Sequence, residues 1–163
     1  TTVLESTDTD NVLLYWTGHG TNKSFSWLET GERFTDEQLG NTVRQMYAEK
    51  RYQSMLIVTE PCYSGSVVKA IEGTPLVLGF SAATDSESSY ADNYSNELGV
   101  WMCDRFTYNL LRIYEEWRYI DLLDTYKKLN TTTLGSHVQV YNVDYFYNLS
   151  DSILYDYFNN YNH

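Results

Sequence analysis

His19 and Cys62 are the residue types on which nucleophilic chemistry is built, and each stands just past an apolar run of strand length. Asn11-Val-Leu-Leu-Tyr-Trp-Thr17 ends in Gly18-His19-Gly20, and Met55-Leu-Ile-Val-Thr59 ends in Glu60-Pro61-Cys62. Runs apolar on both faces fit central parallel strands covered by helices. His19 and Cys62 then share the C-terminal edge of one sheet, where open α/β folds bind ligands. Neighbouring strands lie ~4.8 Å apart, so the two residues can face one another across a cleft. A thiol attacks as thiolate. A nearby imidazole takes its proton and later gives it to a leaving amine. The glycines flanking His19 let a substrate approach the backbone, and amides near Gly20 and Cys62 can hold an oxyanion. Cys62 also opens an expected helix whose N-terminal dipole favours the thiolate. Spacing alone leaves a second reading open, in which Cys62 is a small buried hydrophobe and His19 a packing residue.

The elements that must position this pair can be read along the chain. After the first strand, Ser24–Leu28 reads as a short strand or hairpin arm closed by Gly31. Thr35 with Gln38 has capping-box spacing, and Leu39, Val43, Met46 and Tyr47 continue a helix to about Lys50. Met55–Thr59 is the second strand, and Pro61 suits its end rather than its middle. Ser64-Gly-Ser with Val67, Val68 and Ile71 predicts a short helix stopped by Gly73. Leu76–Phe80 is the third strand, and Ser81–Asn96 a long polar loop, a length often functional inside a compact domain. Trp101, Phe106, Leu110, Ile113 and Trp117 predict a helix from Leu98 to about Trp117. A helix over Ile120–Leu129, a fourth strand over Ser136–Tyr141 and a last short helix within Leu149–Phe158 complete the order. That order is α/β with a mostly parallel sheet and right-handed crossovers.

The 163 residues are 42% hydrophobic and 20% charged, a globular composition. Eleven Lys and Arg against 22 Asp and Glu leave a net charge of −11, the wrong sign for nucleic acid or an anionic membrane. No apolar run approaches the ~20 residues of a bilayer span. Two Cys and three His make neither a disulfide framework nor a zinc site, so no metal or other cofactor is expected. Cys103 falls in a helical apolar pattern and reads as core, and His137 reads as a structural residue on the fourth strand. Asn-x-Ser/Thr triplets at Asn22, Asn93, Asn130 and Asn148 are compatible with export.

The two motifs together resemble those of the legumain-type cysteine peptidases (family C13), which also include the catalytic subunit of the GPI transamidase. The resemblance is carried by Asn11–Gly20 and by Glu60-Pro-Cys-Tyr-Ser-Gly-Ser66. It continues through Gln45–Tyr52, Glu87-Ser-Ser-Tyr90, Gly99–Tyr108 and Ser136-His-Val138. Gly99–Tyr108 is closest to the transamidase branch, whereas the Cys motif is nearer legumain. It implies a caspase-like three-layer sandwich with a mostly parallel six-stranded sheet, of which this chain supplies the C-terminal four main strands. It implies Cys62 as nucleophile, His19 as its acid–base partner, and the amides of Gly20 and Cys62 as the oxyanion hole. Glu60, Ser88, Ser89 and Val100 fall where such enzymes bind substrate. The alternative for Glu60 is a strand-end carboxylate in water, and for the two serines a solvated loop. Val100 stands where legumains carry an acidic pocket residue, which puts strict cleavage after Asn in doubt.

The family's fold begins with two strand–helix units before the His strand. At about 30 residues each, they do not fit into Thr1–Asp10. Residues 1–163 are therefore expected to be the C-terminal part of one peptidase domain, docked to an N-terminal fragment of the same precursor after proteolytic processing. Three functions follow in order: an endopeptidase acting on peptide or protein substrates through a thioester, a transamidase or ligase passing the same acyl group to an amine, and a binding module with a degenerate site. An extracytoplasmic setting, whether secreted, periplasmic or luminal, goes with the first two.

Overall fold

The computed structural model describes residues 4–27, 30–86, 94–95, 100–101, 104–132 and 137–159, with 94–95, 100–101 and 104–105 described by backbone alone. In chain order the elements begin with β1 (Asn11–Trp16), β2 (His19–Thr21), β3 (Ser24–Ser26), β4 (Arg33–Thr35) and α1 (Asp36–Ala48). Next come β5 (Ser54–Thr59), α2 (Ser64–Val68) running into a 3-10 turn at Lys69–Ile71, and β6 (Val77–Ser81). Then follow β7 (Tyr94–Ser95), β8 (Val100–Trp101), α3 (Asp104–Glu116), α4 (Leu122–Thr132), β9 (Gln139–Tyr141) and α5 (Tyr155–Phe158).

Two of the apolar runs become the centre of the sheet as β5 and β6, whereas the Asn11–Trp16 run, expected to be central, forms an edge strand among the described strands. All six residues of β5 and all five of β6 are buried. The strand order is β1-β5-β6-β9, with the first three parallel and β9 antiparallel to β6. Period-2 alternation sorts the side chains into two cores. Leu13, Leu56, Val58, Leu78 and Phe80 meet Phe106, Leu110, Leu122, Leu129 and Leu154 from α3, α4 and the segment before α5. Val12, Leu14, Met55, Ile57 and Val77 meet Leu39 and Val43 of α1 and Val67 and Val68 of α2 on the other face. Each fully buried side chain of this size contributes ~1.5–3 kcal/mol, so the sheet is held from both sides. This is the expected three-layer, caspase-like α/β arrangement, with four strands in the main sheet.

Thr35 caps α1 as expected: its hydroxyl accepts from the Gln38 amide, and the Gln38 side chain accepts from the Thr35 amide. Other boundaries differ. The helix expected from Leu98 begins at Asp104, because Val100–Trp101 pairs with Tyr94–Ser95 in a two-stranded ribbon. That ribbon also occupies part of the expected polar loop. The third strand starts at Val77 because Leu76 takes a left-handed φ of 63°. The helix expected from Ile120 starts at Leu122, where the Asp121 carboxylate accepts from the Asp124 amide and caps it. The last helix shrinks to Tyr155–Phe158. His137 lies two residues ahead of β9 rather than in it.

Candidate active site

Strand register brings the two motifs together. β1 and β5 pair with a constant offset, from Asn11 opposite Ser54 to Trp16 opposite Thr59. That offset is 43 residues, which is also 62 − 19. The ladder runs one step further, since the Glu60 amide donates to the Trp16 carbonyl at 3.0 Å. The strand ends that lead to His19 and to Cys62 therefore lie side by side at one edge of the sheet.

Beyond the edge the chain must turn sharply. Gly18 does this with φ 128°, a conformation that L side chains rarely adopt. The chain then enters a hairpin, with His19 opposite Ser26 and Gly20 opposite Phe25, and β4 adds a third strand. Trp16 fastens this small sheet to the large one. Its indole stacks on Phe25 and Phe34, with centroids 5.2 and 5.6 Å away, and meets Trp27 edge-on at 4.7 Å. His19 itself is exposed on the hairpin.

The hairpin lies hard against the Cys62 turn. A Cβ placed on Gly20 would sit 2.1 Å from the Cys62 carbonyl oxygen and 2.7 Å from the Pro61 Cβ. Only glycine permits that approach. Cys62 is half-buried in the turn between β5 and α2. Tyr63 follows it with a left-handed φ of 57°, a costly conformation for a bulky residue and one that functional turns retain. The Ser64 amide donates to the Pro61 carbonyl at 3.1 Å and so closes the turn.

Ser66 joins the two motifs. Its hydroxyl accepts from the Lys23 amide at the hairpin loop, 2.7 Å away, and donates to the Tyr63 carbonyl at 2.6 Å. One side chain thus fixes the His19 hairpin to the turn that carries Cys62. Gly65 brings in a third segment: its amide donates to the Ala83 carbonyl, and a Cβ there would come within 2.3 Å of the Tyr141 hydroxyl and 2.8 Å of the Asp85 amide. The loop after β6 is thereby drawn against the Cys62 turn.

Glu60 is 3% exposed. Its carboxylate accepts from the Tyr15 hydroxyl at 2.9 Å, from the Thr107 amide of α3 at 2.8 Å, and from the Thr107 hydroxyl. Burial pushes the Tyr15 phenol up to about 12, with the charge on Glu60 adding to the rise and the Thr107 hydrogen bond opposing it. Sequence reasoning singled out Glu60 but missed its partners, and it missed the joining role of Ser66.

Ser88 and Ser89 lie outside the described residues, as does Cys103. Val100 lies on β8, opposite Ser95. His137 is exposed near the start of β9. Among the described residues no group of three or more His, Cys, Asp or Glu is placed to hold a metal ion.

This chain is similar in sequence to known proteins. The peptidase C13 family profile matches residues 1–157. The GPI-anchor transamidase of Saccharomyces cerevisiae is 28% identical over 156 residues, covering 94% of this chain and 38% of that protein. The Schizosaccharomyces pombe GPI-anchor transamidase is 30% identical over 112 residues, 69% of this chain and 29% of the relative. The human one is 29% identical over 113 residues, 69% of this chain and 28% of the relative. The chain thus spans 28% to 38% of the length of these relatives. With the family profile covering the His19 hairpin, the Cys62 turn and every element between them, the chain belongs to the peptidase C13 family.

Proposed function

We propose that this chain carries an acyl-transfer site that opens an amide bond through Cys62 and passes the acyl group to an amine. His19 takes the proton from the Cys62 thiol, and the thiolate attacks the amide carbonyl carbon. The Gly20 and Cys62 amides hold the resulting oxyanion. As the C–N bond breaks, the imidazolium returns the proton to the leaving amine, and a thioester to Cys62 remains. An incoming amine then attacks the thioester. His19 accepts its extra proton, and the departing sulfur takes that proton back as thiol. Ser88, Ser89 and Val100 are assigned to the substrate side of the site through the family resemblance.

The carrying observation is the shared 43-residue register of β1, β5 and the two motifs, together with the contact of Gly20 on Cys62. The amine acceptor is favoured because the curated relatives are named transamidases. Water as acceptor is the second reading, in which the same thioester serves an endopeptidase; the legumain-like Cys62–Ser66 motif favours it. We assign the site to an extracytoplasmic setting. We also assign a strand of an N-terminal fragment of the same precursor to the outer side of β1, which among the described strands pairs only with β5. Among the described residues no helix is long and apolar enough to cross a membrane.

The test uses the longest precursor containing this chain and peptides with Asn, Arg or Ala before the scissile bond, with and without hydroxylamine. Transfer predicts hydroxamate at the expense of free acid, and Cys62→Ala should abolish both products. Free acid alone, insensitive to hydroxylamine, selects the endopeptidase. Undiminished turnover in Cys62→Ala overturns both readings.

A further inference from the structure

Polar groups gather at the end of the sheet away from His19 and Cys62. A cavity of about 300 Å³ lies there beside Asn11 and Ser54, the first residues of β1 and β5. Tyr147, Asp151, Asp156 and Tyr157 line it, and so does Asn148. The Tyr147 ring is 46% exposed and meets Phe146 edge-on at 5.6 Å. Asp151 and Asp156 form no ion pair among the described residues. The cavity therefore presents an uncovered aromatic ring next to two carboxylates without a cationic partner.

Asn148 also opens an acceptor triplet for N-glycosylation, Asn148-Leu149-Ser150. The Ser150 amide donates to Asn148 Oδ1 at 3.1 Å, and the Ser150 hydroxyl donates to the same oxygen at 2.8 Å. Both bonds use Oδ1, so a substituent on Nδ2 leaves the turn intact. Asn148 is exposed, whereas Leu149 is buried and its carbonyl accepts from the Leu122 and Leu123 amides. The triplet is thus fastened to the start of α4 with its Asn side chain outward. The other described triplets differ. At Asn22 the Ser24 hydroxyl is buried against Thr21, and the Lys23 amide between them is bound to Ser66 at the Cys62 turn. At Asn130, inside α4, the Thr132 hydroxyl donates to the Lys128 carbonyl instead. Asn93 lies outside the described residues.

From the triplet and the cavity together we infer that Asn148 carries an N-linked glycan whose first sugar seats on Tyr147 over this cavity. The inference rests on the extracytoplasmic assignment and is independent of the acyl-transfer step. In the modification, Nδ2 bonds to C1 of the first N-acetylglucosamine of a lipid-diphosphate-linked oligosaccharide. The bond from C1 to the diphosphate oxygen breaks, the lipid diphosphate leaves, and Nδ2 loses one proton to water. The apolar face of the sugar packs on the Tyr147 ring. Its hydroxyls donate to the Asp151 and Asp156 carboxylates, which can only accept. A glycan here leaves the His19–Cys62 end open, because the cavity lies at the starts of β1 and β5 and those residues lie past their ends.

The test takes the longest precursor containing this chain from two sources: its own cells, and a eukaryotic host that secretes it with high-mannose glycans. Peptide N-glycosidase in heavy-oxygen water turns each glycosylated Asn into a labelled Asp, which mass spectrometry maps. Asn148 is expected to be labelled in most molecules from both sources, and Asn148→Gln and Ser150→Ala are each expected to lose that label. Asn148 bare in the secreted protein overturns the proposal, as does Asn148 bare beside another labelled triplet in the chain from its own cells. If Asn148 is labelled in the host and all four triplets are bare in the chain from its own cells, the extracytoplasmic assignment fails, and the native glycan with it.

The seat on Tyr147 has its own readout, taken with Asn22, Asn93 and Asn130 each replaced by Gln. Endoglycosidase H trims the glycan to one N-acetylglucosamine on Asn148. That protein is expected to melt about 2–4 °C above the bare chain made in bacteria. In Tyr147→Ala the gain should fall by at least about half, as it does when one of two contacting groups is removed. No gain in the first comparison, or an equal gain in Tyr147→Ala, overturns the seat.

Discussion

Gly20 shows how much of the site is decided by an atom that is missing. The contact that a Cβ would violate is with the Cys62 backbone, which cannot swing aside as a long side chain would. Gly20→Ala should therefore displace the hairpin rather than unfold the chain, since β2 lies outside the main sheet. The expected outcome is a loss of at least ~100-fold in kcat/KM with thermal unfolding lowered only modestly, measured on the same preparation. Retained activity in Gly20→Ala would show that hairpin and turn need not touch for the reaction. The position of His19 and Cys62 just past two neighbouring strand ends was legible from the apolar runs that precede them. The partners of Glu60 were not: Tyr15 and Thr107 lie 45 and 47 residues away, and only the topology brings them together. Ser66 was legible as part of a motif but not as a tie, because its partner is the Lys23 backbone, which carries no sequence signal.

At the scale of elements, the same contrast separates what caps a helix from what joins two motifs. Thr35 and Ser66 are both small hydroxyl residues that accept from a backbone amide. Thr35 ends β4, and its hydroxyl starts α1 by accepting from the Gln38 amide three residues on, whereas Ser66 ties the β2–β3 hairpin to α2. Thr35→Ala should cost about 1 kcal/mol of stability and leave kcat unchanged. Ser66→Ala should cost a similar amount but lower kcat as well, since the hairpin loses its fixed distance from the Cys62 turn. Denaturant unfolding and steady-state rates on both variants make the comparison, and equal kinetic effects would remove the special place given to Ser66. The long elements were readable because they repeat: β5 is buried throughout, and α1 has both a capping box and a 3.6-residue stripe. β2 and β4 are three residues each, and β7 and β8 two, too short for any period to show. The apolar spacing of Trp101 with Phe106 extended an expected helix across β8 because a helical pattern and a two-residue ribbon look alike there.

Over the whole molecule, one edge of the sheet leads to His19 and Cys62, and the opposite edge ties β1, β5 and α5 together. At the opposite edge the Ser54 hydroxyl donates to the Asn11 side chain at 2.7 Å and accepts from the Tyr157 hydroxyl at 2.6 Å, linking β1, β5 and α5. Burial pushes the Tyr157 phenol up to about 12, with the Ser54 hydrogen bond only partly opposing it. Tyr52, also buried, donates to the Pro75 carbonyl and is likewise pushed up to about 12 by burial. The sign follows from proton linkage. The folded state holds these phenolic protons more tightly than the unfolded chain, whose tyrosines ionise near 10. Their contribution is therefore complete below pH 10 and is lost as pH rises from 10 through 12. A rise from 10 to about 12 corresponds to at most about 3 kcal/mol per phenol. The expected melting temperature is level from neutral pH to about pH 9.5 and falls steeply above pH 10. Tyr157→Phe should lower stability at neutral pH by about 1 kcal/mol through the lost hydrogen bond, yet show a shallower alkaline fall, because one of the linked protons is gone. Calorimetry across the alkaline range measures both quantities. An alkaline slope identical in wild type and Tyr157→Phe would mean that the phenol ionises without opening this edge of the sheet.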